Sequence, residues 1–389
     1  MTSGSLHELN HCVHGAQYDN CEHLDANACM GGGRGCVDTQ RCSPTRRKAM
    51  RRFLPATATS ASSADASDCF ETKAGLHCLP GLVNIGVQKA GTGELQNWLA
   101  AHPSILVHGG EVHFFDGMRP AACSARHRGP LRLKYARFLW RRRGLKPADV
   151  KDKLLFEKTP AYFDRAPPKL IACAVPSARL LVMLRAPAER ARSAYAMCQR
   201  ELGAPWCRAP FEEALARVLT LGGSTNSGRG NRANGTAAPR ANRRALRHEP
   251  HLRRMLLMGH YAAFLRRWLE HFPPARLRVL WLEQFKRDPF ACMAAVERFA
   301  ELPSHDYRSI ATRNAAGLYV VGKSKSSSAA TSGDAAAAAA SKRRRNGTQS
   351  AAAAAAFQGL RAYYSPWQRR LRELVHEHNL TLLAGSEVP

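Results

Sequence analysis

Leu82-Val-Asn-Ile-Gly86-Val-Gln-Lys89-Ala90-Gly91-Thr92-Gly93 decides how the rest of the chain is read. A short apolar run, Leu82–Val87, gives way to a turn, Gly86 to Gly93. Leu95, Trp98 and Leu99 then fall at helical spacing over Glu94–Ala101. A strand that enters a helix through glycines aims backbone N–H groups and the positive helix end at an anion. Outward from this unit the pattern repeats. Lys153–Phe156, Arg179–Leu184 and Leu277–Leu282 read as strands, and helices follow over Ala188 to about Arg200 and Pro289 to about Leu302. Strands alternating with helices predict an α/β fold: a P-loop-like layered arrangement with a central parallel sheet of about five strands flanked by helices. Ligands of such sheets lie at the carboxyl ends of the strands.

The turn nearly matches the triphosphatase loop G-x-x-x-x-G-K-[ST], but Thr92 follows Gly91 directly and Lys89 sits inside the loop. No carboxylate at a strand end stands out as a magnesium partner. A kinase or triphosphatase is therefore the poorer reading, and the turn by itself is also compatible with a plain strand–turn–helix junction.

Composition narrows the partners. Lys and Arg number 58 against 30 Asp and Glu, a formal charge of +28, and such a surface attracts polyanions. No helix-turn-helix, zinc-finger spacing or RNP aromatic motif is present, so no specific nucleic acid is expected. Cys12, Cys21, Cys29, Cys36 and Cys42 lack zinc-site spacing and read as a small disulfide-linked segment; Cys69/Cys78 and Cys198/Cys207 are further close pairs, with buried free thiols as the alternative. Asn234-Gly-Thr, Asn346-Gly-Thr and Asn379-Leu-Thr match the glycosylation pattern. Together these favour a secretory compartment, although no signal peptide or membrane span is visible in this sequence. Residues 1–80 read as a Cys-rich and Ser/Ala-rich, largely irregular segment, and 81–389 as the catalytic domain. Within it, 222–248 is a basic loop and 324–356 a low-complexity insertion, with the helix resuming near Tyr363.

Five ordered segments carry a family resemblance: Val83–Thr92, Glu111-Val-His-Phe-Phe-Asp116, Phe156-Glu-Lys-Thr-Pro-Ala-Tyr-Phe163, Leu184-Arg-Ala-Pro-Ala-Glu-Arg190 leading to Ser193, and Gly322-Lys-Ser-Lys325. They resemble the carbohydrate sulfotransferases that use 3′-phosphoadenosine-5′-phosphosulfate (PAPS). They are especially like the heparan sulfate 3-O-sulfotransferases and the sulfotransferase domain of the N-deacetylase/N-sulfotransferases. The resemblance implies a Golgi-lumen enzyme that sulfates a hydroxyl or amino group of an acidic polysaccharide or glycan. The donor leaves as adenosine 3′,5′-bisphosphate and no metal is required.

By the same resemblance Lys89, Ala90, Gly91, Thr92 and Gly93 receive the 5′-phosphosulfate, and Lys89 contacts the leaving phosphate. Arg185 and Ser193 hold the 3′-phosphate, Glu111 is the general base, His113 and Asp116 orient it, and Lys158 faces the transferring group. Glu157 is expected to pair with Lys158, Thr159 and Tyr162 are weaker contacts, and Phe114 and Phe115 read as core. Lys323 and Lys325 would close over the donor. Here Lys325 runs into Ser326-Ser327 and the insertion, where the family continues with Gly-Arg. That departure supports a second reading, a catalytically impaired polyanion-binding protein on the same fold.

Overall fold

The computed structural model describes residues 68–73, 75–119, 123–140, 147–220, 240–241, 249–321 and 351–383. The N-terminal cysteines, most of the basic loop, Asn234, Asn346, Lys323 and Lys325 lie outside these residues.

The centre is a five-stranded sheet in the order β4 (Ile105–Val107), β5 (Leu154–Lys158), β3 (Leu82–Gly86), β6 (Arg179–Leu184), β9 (Leu277–Trp281). Every pairing in it is parallel. All five residues of β3 and of β5 are buried, as expected for a sheet covered on both faces. Trp98, Trp268 and Trp281 are among the largest fully buried side chains around it. β3 is central, and its neighbours β5 and β6 carry the chain away on opposite sides. The four strand ends β4, β5, β3 and β6 therefore open side by side on one edge.

Four of these strands were legible from their apolar runs. The fifth, β4, has three residues and was not. Folded structure also begins earlier than Leu82. Asp68–Thr72 (β1) and Gly75–Leu79 (β2) form an antiparallel hairpin in which Cys69 stands opposite Cys78, and the two are bonded. Cys198–Cys207 is bonded as well. A third disulfide, Cys123–Cys173, joins residues 50 apart. By the chain-entropy relation, closing a loop of that length stabilises the fold by about 4 kcal/mol. Cys292 is a buried free thiol.

Beside the sheet, the helices Pro187–Met197, Phe211–Val218 and Pro250–Leu257 pack with the long helix Ala351–Glu377 around Tyr195, Leu215, Leu360 and Tyr364. That long helix corrects the reading of the insertion. The second alanine run, Ala351–Ala356, is its first turns rather than irregular chain, since alanine has the highest helix propensity and Ala356 is buried against the cluster. Small pairs β7 (Leu219–Thr220) with β8 (Arg240–Ala241) and β10 (Ala311–Arg313) with β11 (Tyr319–Val321) complete the strands. Asn379 lies exposed just beyond the long helix. Among the described residues no helix is long and apolar enough to cross a membrane.

Candidate active site

The anion-receiving turn is fixed by contacts that leave glycine little choice at two positions. A Cβ on Gly86 would stand 2.6 Å from Phe163 Cβ and 3.1 Å from the Pro160 carbonyl oxygen. Gly91 has φ +86°, and a Cβ there would meet Leu282 Cδ1 at 2.5 Å. Lys89 is also left-handed, at φ +68°. Asn84 Oδ1 accepts from Gly86 N–H at 3.1 Å, and Val87 N–H donates to the Met183 carbonyl at 2.7 Å. Thr92 and Gly93 open the Thr92–Ala100 helix, so their N–H groups have no intrahelical acceptor behind them.

Lys89 Nζ rests 3.5 Å from Met197 Sδ. Burial holds its pKa below the usual lysine value, opposed by Glu201 and Glu111 and assisted by Arg200 and Arg185. Arg185, one residue past β6, donates to the Lys89 carbonyl at 3.2 Å. Burial lowers its pKa too, against the pull of Glu283 and Glu189. Ser193 is half-buried on the Pro187–Met197 helix, and no hydrogen bond joins it to Arg185.

Glu111 follows β4 and stands on the same edge of the sheet. Its Oε1 accepts from Lys158 Nζ at 3.0 Å and its Oε2 faces His113 Nε2 at 3.1 Å. The other imidazole nitrogen, Nδ1, is 2.8 Å from Asp116 Oδ2. Burial alone would raise the Glu111 pKa, but the bonds and charges of His113 and Lys158 outweigh it and hold it at about 2. Burial likewise works against the His113 cation, yet Asp116 and Glu111 push its pKa up to about 9. At neutral pH the pair is imidazolium and carboxylate.

This has a stability consequence with a definite sign. The His113 contribution is complete below its usual pKa of 6.5 and is lost as pH rises through about 9. The Glu111 contribution is complete above its usual 4.5 and is lost as pH falls through about 2. The melting-temperature gap between wild type and His113→Gln should therefore be widest between pH 4.5 and 6.5 and shrink towards alkaline pH. A gap unchanged at pH 10 would remove His113 from the pair.

One expectation is corrected. Glu157 does not pair with Lys158. Adjacent residues of β5 point to opposite faces, and Glu157 is fully buried while Lys158 reaches Glu111. The Glu157 carboxyl faces the hydroxyls of Tyr135 and Tyr162, though neither oxygen closes a hydrogen bond of normal geometry. Burial pushes its pKa up to about 8. Thr159 and Tyr162 are completely buried and touch the backbone of the Glu111 turn from within. Phe114 and Phe115 are core: Phe114 stacks on Tyr135, with centroids 4.9 Å apart.

Residues that the sequence did not point to also shape the site. Tyr261 donates to the Arg185 carbonyl at 2.9 Å, and Glu283 Oε1 accepts from Ala186 N–H at 3.3 Å. Neither lies near Arg185 in sequence, and no local motif marks them. Among the described residues no cluster of His, Cys, Asp and Glu could hold a metal ion.

Compared with known proteins, this chain is similar in sequence to heparan sulfate sulfotransferases. Over 238 residues, 60% of this chain and 24% of the relative, it is 32% identical to the human bifunctional heparan sulfate N-deacetylase/N-sulfotransferase 3. It is 28% identical over 226 residues to human heparan sulfate glucosamine 3-O-sulfotransferase 6, covering 57% of this chain and 52% of that one. With the mouse 3-O-sulfotransferase 3B1 the figure is 28% over 235 residues, covering 60% and 49%. The matched stretches thus span between a quarter and about half of these relatives. A solved sulfotransferase from Alicyclobacillus acidocaldarius aligns with a TM-score of 0.47 at 21% identity, over 77% of this chain and 96% of that one. No family model matches the chain.

Proposed function

We propose that this chain transfers a sulfuryl group from PAPS to a hydroxyl or amino group of an acidic polysaccharide, with Glu111 as general base. One observation carries the reading most directly: Lys158 bridges to Glu111 at 3.0 Å, on the edge where Arg185 grips the turn that carries Lys89. Its homologues act on heparan sulfate by name.

In the proposed reaction the acceptor oxygen or nitrogen attacks sulfur in line with the bridging oxygen of the donor. The S–O bond to the 5′-phosphate breaks, and adenosine 3′,5′-bisphosphate leaves with that electron pair. Glu111 takes the acceptor proton. Lys89 and the turn Ala90–Gly93 neutralise the 5′-phosphate, and Arg185 and Ser193 receive the 3′-phosphate, where a guanidinium fork suits a dianion. Lys158 moves from Glu111 to the sulfuryl oxygens, which frees the carboxylate and raises its basicity at the moment it is needed. Lys323 and Lys325 complete the donor side. The +28 charge draws in the polyanionic acceptor, so turnover at low acceptor concentration falls with salt. Three disulfides among the described residues fit an oxidising compartment, hence the secretory pathway.

The test is transfer of labelled sulfate from PAPS to a panel of N-sulfated, O-sulfated and unsulfated glycosaminoglycans. Transfer to at least one acidic glycan without added metal is the expected result. Tight glycan binding with no transfer to any acceptor would instead establish the impaired binding protein.

A further inference from the structure

Three successive N–H groups of the Glu111 turn end on side-chain oxygens, not on carbonyls. Val112 N–H donates to Thr159 Oγ1 at 2.8 Å, and His113 N–H to the same oxygen at 3.4 Å. Phe114 N–H donates to the Tyr162 hydroxyl at 3.1 Å. His113 is held in the left-handed region, at φ +54°, an unfavourable setting that its surroundings must impose. Both acceptor residues are wholly buried, so water cannot replace them.

The same segment is anchored from behind. Thr159 N–H donates to the Asn84 carbonyl at 3.0 Å, and Asn84 Oδ1 takes Gly86 N–H at the mouth of the anion-receiving turn. Lys158, the residue next to Thr159, holds the Glu111 carboxylate itself. One short segment at the end of β5 therefore grips both the backbone and the carboxylate of the Glu111 turn, and ties them to the turn carrying Lys89. The carboxyl of Glu157 lies near the Tyr162 hydroxyl without closing a hydrogen bond of normal geometry to it.

We propose that Thr159 and Tyr162 are positioning residues that hold the Val112–Phe114 backbone, and with it the aim of Glu111, in fixed register with the anion-receiving turn. This rests on Glu111 being the base of the proposed transfer. The variants are Thr159→Val, which keeps the shape but deletes the acceptor, Thr159→Ser, which keeps the acceptor, and Tyr162→Phe.

Misplacing a catalytic group by an ångström costs up to about 100-fold, so Thr159→Val and Tyr162→Phe should lose roughly 10- to 100-fold in kcat. KM for PAPS should be unchanged in both, and Thr159→Ser should retain wild-type kcat. A second readout needs no turnover. In the resting protein His113 is faced by Glu111 and Asp116, with the Lys158 cation and buried Glu157 nearby, and titrates at about 9. Its NMR titration should fall towards 6.5 in Thr159→Val, where the turn slackens, and stay high in Thr159→Ser. If His113 titrates alike in Thr159→Val, Tyr162→Phe and wild type, the positioning role is wrong, whatever the turnover. If wild type transfers no sulfuryl group, the proposed function fails while the NMR arm still decides the clamp.

Discussion

Glu111→Gln should lower kcat for sulfuryl transfer by about 10²- to 10⁴-fold, the usual contribution of general base catalysis. The substitution preserves size and keeps an acceptor for Lys158 Nζ, but it gives up the second acceptor, which His113 Nε2 now faces. It removes the carboxylate proposed to take the acceptor proton, and His113 cannot replace it, because at neutral pH it already carries its own proton. His113→Gln should cost less, since it removes orientation and a charge but leaves the base. The donor side should be unharmed. Glu111 is a negative charge within electrostatic reach of Lys89, so its neutralisation leaves the affinity for adenosine 3′,5′-bisphosphate equal or stronger. Calorimetric titration with the bisphosphate and steady-state transfer on the same preparation separate the two effects. Normal turnover by Glu111→Gln would end the base assignment.

The local parts of this site were legible in the sequence and the non-local parts were not. Leu82–Gly93 showed its strand, turn and helix because each leaves a periodic or glycine signal within a dozen residues. Arg179–Leu184 and Leu277–Trp281 stood out as apolar runs for the same reason. Ile105–Val107 did not, because three residues are too few to carry a period. The pairing of Glu157 with Lys158 looked natural in one dimension and fails in three, since strand geometry sends neighbours to opposite faces. The clamp from Thr159 to Val112 spans 47 positions, and the bond from Tyr261 to Arg185 spans 76. No spacing rule reaches that far. Five cysteines near the N-terminus drew attention to themselves by density, while Cys123–Cys173 pairs across a distance that leaves no such mark.

Lys89→Ala should cut kcat by about 10²- to 10³-fold, the range seen when one preorganised donor to developing negative charge is removed. The residue is well suited to a clean test. Its backbone sits at φ +68°, a conformation that alanine finds no easier than lysine, so the variant keeps the strain and loses only the side chain. The Arg185 bond to this residue goes to its backbone carbonyl and survives the change. The ammonium is half-buried against Met197 and its pKa is lowered, chiefly by desolvation. A resting site that disfavours the cation gains most when a phosphate anion arrives, so the deficit should be larger with PAPS bound than in the empty protein. Lys89→Arg should not restore full activity, because a planar guanidinium cannot stand in for a compact ammonium in a turn this tight. Measured as kcat with saturating PAPS, the loss should exceed any loss of affinity for adenosine 3′,5′-bisphosphate. If binding and kcat weaken together, Lys89 is a donor anchor and the charge on the leaving phosphate is met elsewhere, with Lys158 the next group to replace.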